Sequence, residues 1–190
     1  MHTGMKIVAV LVAGTLVGLS STWLIVYRGE MPGGLSNGPW HTSLAVGSEQ
    51  SDPYTRASVA LHGLFALNRE ETIYFTATHD ADGNRLDGAC RYEITGHDPS
   101  TRWWSITAYG ADDFLIANAA NRYSVSQSSV VRGKDGAFRV TVGGPDAGAN
   151  WIPVGAGPFS LTLRLYNPGP DAMLDPGHTT LPSLRKISCP

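Results

Sequence analysis

Charge is scarce in this chain: 14 basic and 16 acidic side chains make up 16% of its 190 residues, against about a quarter in a typical soluble globular chain. No basic run occurs and the formal net charge is -2, so the electrostatic footprint that nucleic-acid binding requires is missing. Cysteine is scarce too. Its two copies, Cys90 and Cys189, form no Cys-x-x-Cys, which removes support for dithiol redox chemistry or a zinc knuckle. The six histidines include no His-x-x-x-His or other zinc spacing. There is no Gly-x-Ser-x-Gly elbow, and the glycine-rich stretches Gly143-Gly144-Pro145 and Gly155-Ala156-Gly157-Pro158 carry proline where a phosphate-cradling helix start needs free N–H groups. No cofactor and no metal are therefore expected. Disorder does not fit a chain that is 42% hydrophobic, and a coiled coil does not fit one with 22 glycines.

One long apolar run is present. Ile7 to Tyr27 contains 21 consecutive residues without a charge, bounded by Lys6 and Arg28. At 1.5 Å per residue the run makes about 31 Å of helix, enough for a hydrocarbon core roughly 30 Å thick. A cleaved signal peptide has a shorter apolar region and a small-x-small site. Here the apolar run resumes after Ser20-Ser21-Thr22 as Trp23-Leu24-Ile25-Val26, so an uncleaved signal anchor is expected. Trp23 and Tyr27 suit the outer membrane interface. Gly14 and Gly18 share a G-x-x-x-G spacing, which alone is a weak dimerisation signal. Lys6 lies on the short side while Arg28 and Glu30 cancel on the long side, which biases the N-terminus to the cytoplasm.

Residues 29–51 are rich in glycine, serine and proline and read as a tether between the anchor (1–28) and a domain over 52–190. Asp52-Pro53 supplies an N-cap acceptor and a first-turn proline. From there Ala57, Ala60, Leu61, Leu64 and Phe65 predict an amphipathic helix to about Leu67 whose apolar stripe must lie against something. The period then changes to two. Strands are predicted over Thr72–Thr78, Ala89–Thr95, Arg102–Tyr109, Tyr123–Ser126, Ala137–Val142, Phe159–Tyr166 and Leu184–Ser188, with a hairpin turn at Lys134-Asp135-Gly136 and a break at Gly143-Gly144-Pro145-Asp146. In Phe159–Tyr166 the leucines and Phe159 take one face and Ser160, Thr162, Arg164 and Tyr166 the other. Several short strands separated by turns predict a mainly β fold, an antiparallel, jelly-roll-like β-sandwich with one amphipathic helix.

The ordered phrases Arg102-Trp103-Trp104-Ser105-Ile106-Thr107-Ala108-Tyr109, Asn118 with Asn121-Arg122-Tyr123-Ser124-Val125, Asp135-Gly136, Asn150-Trp151-Ile152-Pro153 and Leu163-Arg164-Leu165-Tyr166-Asn167-Pro168 resemble the bacterial family catalogued as domain of unknown function 1214. Thr55-Arg56-Ala57, the entry Glu71 to Tyr74, Asp82-Gly83 and Leu86-Asp87-Gly88 ahead of Tyr92 extend the likeness over roughly residues 52 to 187. The resemblance implies a β-sandwich that is often the C-terminal half of a longer protein, whose N-terminal half is domain of unknown function 1254. That half is not found here, so a separate partner chain of that kind is expected. The resemblance carries no catalytic residues.

Among residues with chemistry, Asp80, Asp82, Asn84 and Asp87 offer hard oxygens in one turn, but glycine stands fourth and Arg91 twelfth where a calcium loop needs other residues. A hairpin rich in turn formers explains them better. Cys90 and Cys189 could form one disulfide in an oxidising compartment, worth roughly 4.7 kcal/mol in the chain-entropy model; two free buried thiols are the alternative. The candidate ligand group is Trp104, Tyr109, Asn121, Arg122, Tyr123, Asn150, Trp151, Arg164 and Tyr166, in which arginine beside aromatics could read a planar anion or stack a sugar. The competing reading has Arg164 and Asn150 satisfying backbone carbonyls and the tryptophans filling the core.

The expected protein is a single-pass protein of the bacterial inner membrane, with its C-terminal domain in the periplasm. It acts as a binding or assembly module with a partner chain. Two alternatives are a cell-envelope hydrolase or lyase acting on a glycan or small ester, and a structural subunit of a membrane complex.

Overall fold

The computed structural model describes residues 2–28, 34–62, 66–145 and 148–190. Helix α1 spans His2–Arg28, and among the described residues it is the one helix long and apolar enough to cross a membrane. Its many β-branched residues are poor helix formers in water. In a bilayer the backbone must satisfy its own hydrogen bonds, which favours helix whatever the side chains. A Cβ added at Gly14 or Gly18 would meet nothing, so neither glycine serves a close packing contact within the chain.

Two β-sheets follow. Strands β1 (Gly34–Asn37), β2 (Trp40–Ser43), β3 (Thr72–Ala77), β9 (Phe159–Pro168), β5 (Thr101–Gly110) and β6 (Ser124–Ser126) form a six-stranded sheet in the order β1-β2-β3-β9-β5-β6. Strands β10 (Ser183–Ser188), β4 (Arg91–Gly96), β7 (Phe138–Val142) and β8 (Trp151–Ile152) form a four-stranded sheet in the order β10-β4-β7-β8. Every pairing is antiparallel except β7 with β8. The expected fold class holds.

The alternation of β9 decides what lies between the sheets. Leu161, Leu163 and Leu165 are fully buried, and in register with them stand Ala77, Phe75 and Ile73 of β3 and Ala108, Ile106 and Trp104 of β5. Tyr92 and Ile94 of β4, Phe138, Val140 and Val142 of β7, Ile152 and Leu184 complete one core from the other sheet. Two aromatic contacts tie the layers together: Trp104 stacks on Phe138 at 4.8 Å, and Tyr92 meets Phe159 edge-on at 5.7 Å. Cys90 and Cys189 are bonded. The bridge joins the entry of β4 to the exit of its neighbour β10.

Two expectations need correction. The stretch 29–51 is not a plain tether, because β1 and β2 within it form a hairpin whose second strand pairs with β3. Gly38 takes a φ of 59° in the two-residue loop between them, where a tight hairpin needs the left-handed region. Trp40 is 1% exposed and its Nε1 donates to the Pro182 carbonyl at 2.7 Å, so one indole recruits a polar segment into the core. Helix α2 runs Pro53–His62 rather than to Leu67, and Leu64 and Phe65 lie outside the described residues. Its buried side is polar: Thr55 and Ser58 are buried, while Ala57, Ala60 and Leu61 face outward. A short helix α3 (Pro170–Leu174), opened by proline, was not anticipated.

Strand direction gives the domain two distinct ends. The register Gly34↔Ser43, Thr72↔Tyr166 and Thr101↔Pro168 places the entry from α1, both connections of α2 and the start of β5 at one end. The loop after Gly110, with Phe114 73% exposed, leaves from the other.

Candidate functional site

Because β9 buries its leucines, its alternate residues line the outer face of the six-stranded sheet, and the register sets their neighbours. Thr72, Tyr166 and Trp103 form one row, Tyr74, Arg164, Ser105 and Ser126 the next, and Thr76, Thr162, Thr107 and Ser124 a third. The floor is made of small hydroxyl residues, with Thr72, Ser105, Thr107 and Thr162 all buried. The larger side chains rise from it. Trp103 and Tyr166 are in ring contact at 5.1 Å.

Arg164 stands at the centre, half-buried. Its Nη2 donates to Tyr109 Oη at 2.7 Å and its Nη1 to Thr107 Oγ1 at 3.3 Å. The guanidinium carbon lies 5.8 Å from the Tyr74 ring centre and 5.4 Å from that of Tyr109, within reach of a cation–π attraction. Among the described residues no carboxylate pairs with Arg164, whose hydrogen-bond partners there are both neutral hydroxyls. A guanidinium carries five N–H donors, so among the described residues this one leaves donors unused and its charge without an acid. Thr72 Oγ1, on the same face, is buried without a hydrogen-bond partner.

The predicted group separates. Arg164, Tyr109 and Tyr166 share the outer face, joined by Tyr74 and Trp103, which the sequence reading left out. Trp104 turns inward to Phe138, and its Nε1 donates to Asp98 at 2.8 Å. Asn150 is consumed by backbone: its Nδ2 donates to the Val131 and Arg139 carbonyls and its Oδ1 accepts from the Val131 N–H. Arg122 caps the Gly148 and Ala149 carbonyls. Trp151 Nε1 donates to the Gly143 carbonyl at 3.2 Å. Asn121 occupies a turn at φ 50°, where its Oδ1 accepts from the Tyr123 hydroxyl. For these residues the structural reading describes what the side chains do. Tyr74 was findable, since Ile73 and Phe75 alternate with it; Trp103 against Trp104 was not, because either could face inward until β5 pairs with β9.

Elsewhere the polar groups serve their own loops. Asp80 is buried, and its carboxylate accepts from the Asp82 and Asn84 N–H groups and the Asn84 amide, with Lys186 Nζ at 3.4 Å. Burial opposes its ionisation, but these donors outweigh burial and hold its carboxyl below the usual range. Asp87 accepts from the Ala89 and Gly157 N–H groups. The Asp80 and Asp87 oxygens thus order a hairpin, and no cluster of metal-ligating side chains occurs among the described residues. Ser36 Oγ lies 3.0 Å from His41 Nδ1 across the β1–β2 hairpin, exposed, with no carboxylate bonded to that ring among the described residues. That pair lacks the third group that orients a catalytic base.

Comparison with known proteins places this geometry. The VPA0106 protein from Vibrio parahaemolyticus is similar, with a TM-score of 0.61 and 26% identity over 73% of this chain. This chain spans only 36% of that one, about a third of its length. An uncharacterised protein from Burkholderia cenocepacia is 16% identical over 92% of this chain and 49% of its own, with a TM-score of 0.46. No curated protein matches. The family described as protein of unknown function DUF1214 matches residues 71–170, which run from the entry of β3 past the end of β9 and include Tyr74, Trp103, Tyr109, Arg164 and Tyr166. The chain belongs to that family.

Proposed function

We propose that this protein is a membrane-anchored binding module of the cell envelope, in which the outer face of the six-stranded sheet receives a partner chain at Arg164. The observation that carries the reading is Arg164 itself: a half-buried cation with two aromatic walls, spare donors and no carboxylate among the described residues. A partly desolvated guanidinium gains most from a carboxylate, which can satisfy two of its donors in one plane. Half-buried aromatic rings beside it would exclude water from the contact.

Other features support the setting. Helix α1 has the length and composition to cross a bilayer, and Lys6 against the cancelling Arg28 and Glu30 favours a cytoplasmic N-terminus with the β domain in the periplasm. The Cys90–Cys189 bond suits an oxidising compartment. The VPA0106 chain extends well beyond the shared region, which supports a domain that works beside a further stretch of protein. A separate chain of the domain of unknown function 1254 kind is the proposed companion here. Co-expression with that chain and purification in detergent tests the proposal. Stoichiometric co-purification is expected from the wild type, with roughly tenfold weaker retention, equal to about 1.4 kcal/mol, for a folded Arg164→Met variant. Recovery of no stoichiometric partner, or full retention by Arg164→Met, would count decisively against it.

A further inference from the structure

Helix α2 is amphipathic in the wrong sense for a helix facing water. A solvated surface helix buries its apolar stripe and exposes its polar one. In Pro53–His62 the buried side chains are Thr55 and Ser58, 1% and 6% exposed, whereas Tyr54 and Leu61 are 41% and 55% exposed and Ala57 and Ala60 lie between them on the same side. The single charge on that side is withdrawn. Arg56 folds back so that its Nε donates to the Ser51 carbonyl at 3.0 Å and its Nη2 to the Glu49 carbonyl at 2.6 Å. The other polar group at this end, Asp52, is spent as the N-cap: Oδ1 accepts from the Tyr54 and Thr55 N–H groups, and Oδ2 from the Thr55 hydroxyl.

The location of that face identifies what meets it. Helix α2 packs against α1, and Val26, in the last turns of α1, is buried at 5% exposure while Trp23, Leu24 and Ile25 beside it are not. The outward face of α2 therefore continues the exposed apolar surface of the spanning helix at the point where that helix leaves the hydrocarbon. Both helices also join the sheet at the same end.

We propose that α2 lies in the headgroup region of the bilayer that α1 crosses, with Tyr54, Ala57 and Leu61 directed towards the acyl chains. A helix with a mainly apolar outward face and a tyrosine at its edge, its one cation Arg56 bonded back to the Ser51 and Glu49 carbonyls, partitions into that layer rather than into water. The contact makes α1 and α2 two legs of one mount. It holds the β domain with its β1–β2–β3 entry towards the membrane and the Phe114 loop away from it. The inference rests on the reading of α1 as an anchor and adds the orientation that a single flexible tether would not supply.

The test uses the full chain in vesicles of phosphatidylcholine and phosphatidylglycerol, with benzoylphenylalanine placed singly at Trp23, Tyr54, Leu61 or Phe114. After irradiation, lipid adducts are counted by mass spectrometry. Adducts at positions 23, 54 and 61, several-fold above those at 114, are the expected result. Adducts at 23 with 54 and 61 no higher than 114 would overturn the docking while leaving the anchor in place. Protein adducts in place of lipid at 54 and 61 would likewise overturn it in favour of a proteinaceous occupant. Absence of lipid adducts at 23 would remove the anchor, and the docking with it.

Discussion

The two sheets treat charge differently. Around the four-stranded sheet three cations have an acid, while Arg91 and Arg185 have none among the described ion pairs. Arg139 meets Glu93 across β7 and β4 at 2.5 Å, Lys186 of β10 meets buried Asp80, and Arg132 meets Asp98 at 2.7 Å while also donating to the Gln127 and Val130 carbonyls. The Cys90–Cys189 bond closes a separation of 99 residues on the same side. On the outer face of the six-stranded sheet Arg164 has rings and hydroxyls in place of an acid. Arg132 and Arg164 are both partly buried, yet one bonds an acid and internal loops and the other only neutral hydroxyls and rings.

The contrast can be broken from either side. Cys90→Ser, or reduction, should have the largest effect on folding, about 2–5 kcal/mol, read as a lower urea midpoint by tryptophan fluorescence in detergent. An unchanged midpoint would mean the stapled sheet does not depend on its staple. Next comes Asp98→Ala, which strands Arg132 and the Trp104 N–H together. A loss of about 1–3 kcal/mol is expected, and a neutral result would erase the difference between the two arginines.

Acid should act on two carboxylates held by internal hydrogen bonds. Thr179 and then Ser100, with further help from backbone N–H groups, hold the Asp171 carboxyl below its ordinary value, and the donors around Asp80 do the same there against burial. Both groups have folded values below an unfolded one near about 3.9. Their contribution is therefore complete above about pH 4 and lost as pH falls through the folded values. Asp80→Asn should flatten that acid limb in a stability–pH profile; an unaltered limb would assign the acid sensitivity elsewhere. Smallest is Arg164→Met, with an expected change in stability below about 1 kcal/mol, set against its large expected effect on partner retention. A loss of several kcal/mol would show that Arg164 is structural like Arg132.

Much of the fold was legible because alternation is local. The seven strands read from period-two runs correspond to β3, β4, β5, β6, β7, β9 and β10, and the core face of β9 was explicit in Phe159 to Tyr166. Strands β1 and β2 were missed because a four-residue strand in a glycine- and serine-rich stretch has no pattern of its own; Trp40 joins the core through a carbonyl 142 residues away. Strand β8 has two residues and pairs in parallel, beyond the reach of any periodic signal. In α2 the helical spacing was visible, but which side faced the domain depended on Thr55, Ser58 and the packing of α1.

By itself the sequence determined the long apolar N-terminal helix, the positions of most strands, the side of β9 that is core and the family, since each is written in short-range composition or ordered phrases. Tertiary structure alone decided the register that sets Tyr74, Arg164 and Ser105 in one row, turned Trp104 inward and left Trp103 outside, and bonded Cys90 to Cys189. The physical reason is that a strand's two faces follow from its own chain geometry, whereas its neighbours are chosen by pairings between residues distant in sequence.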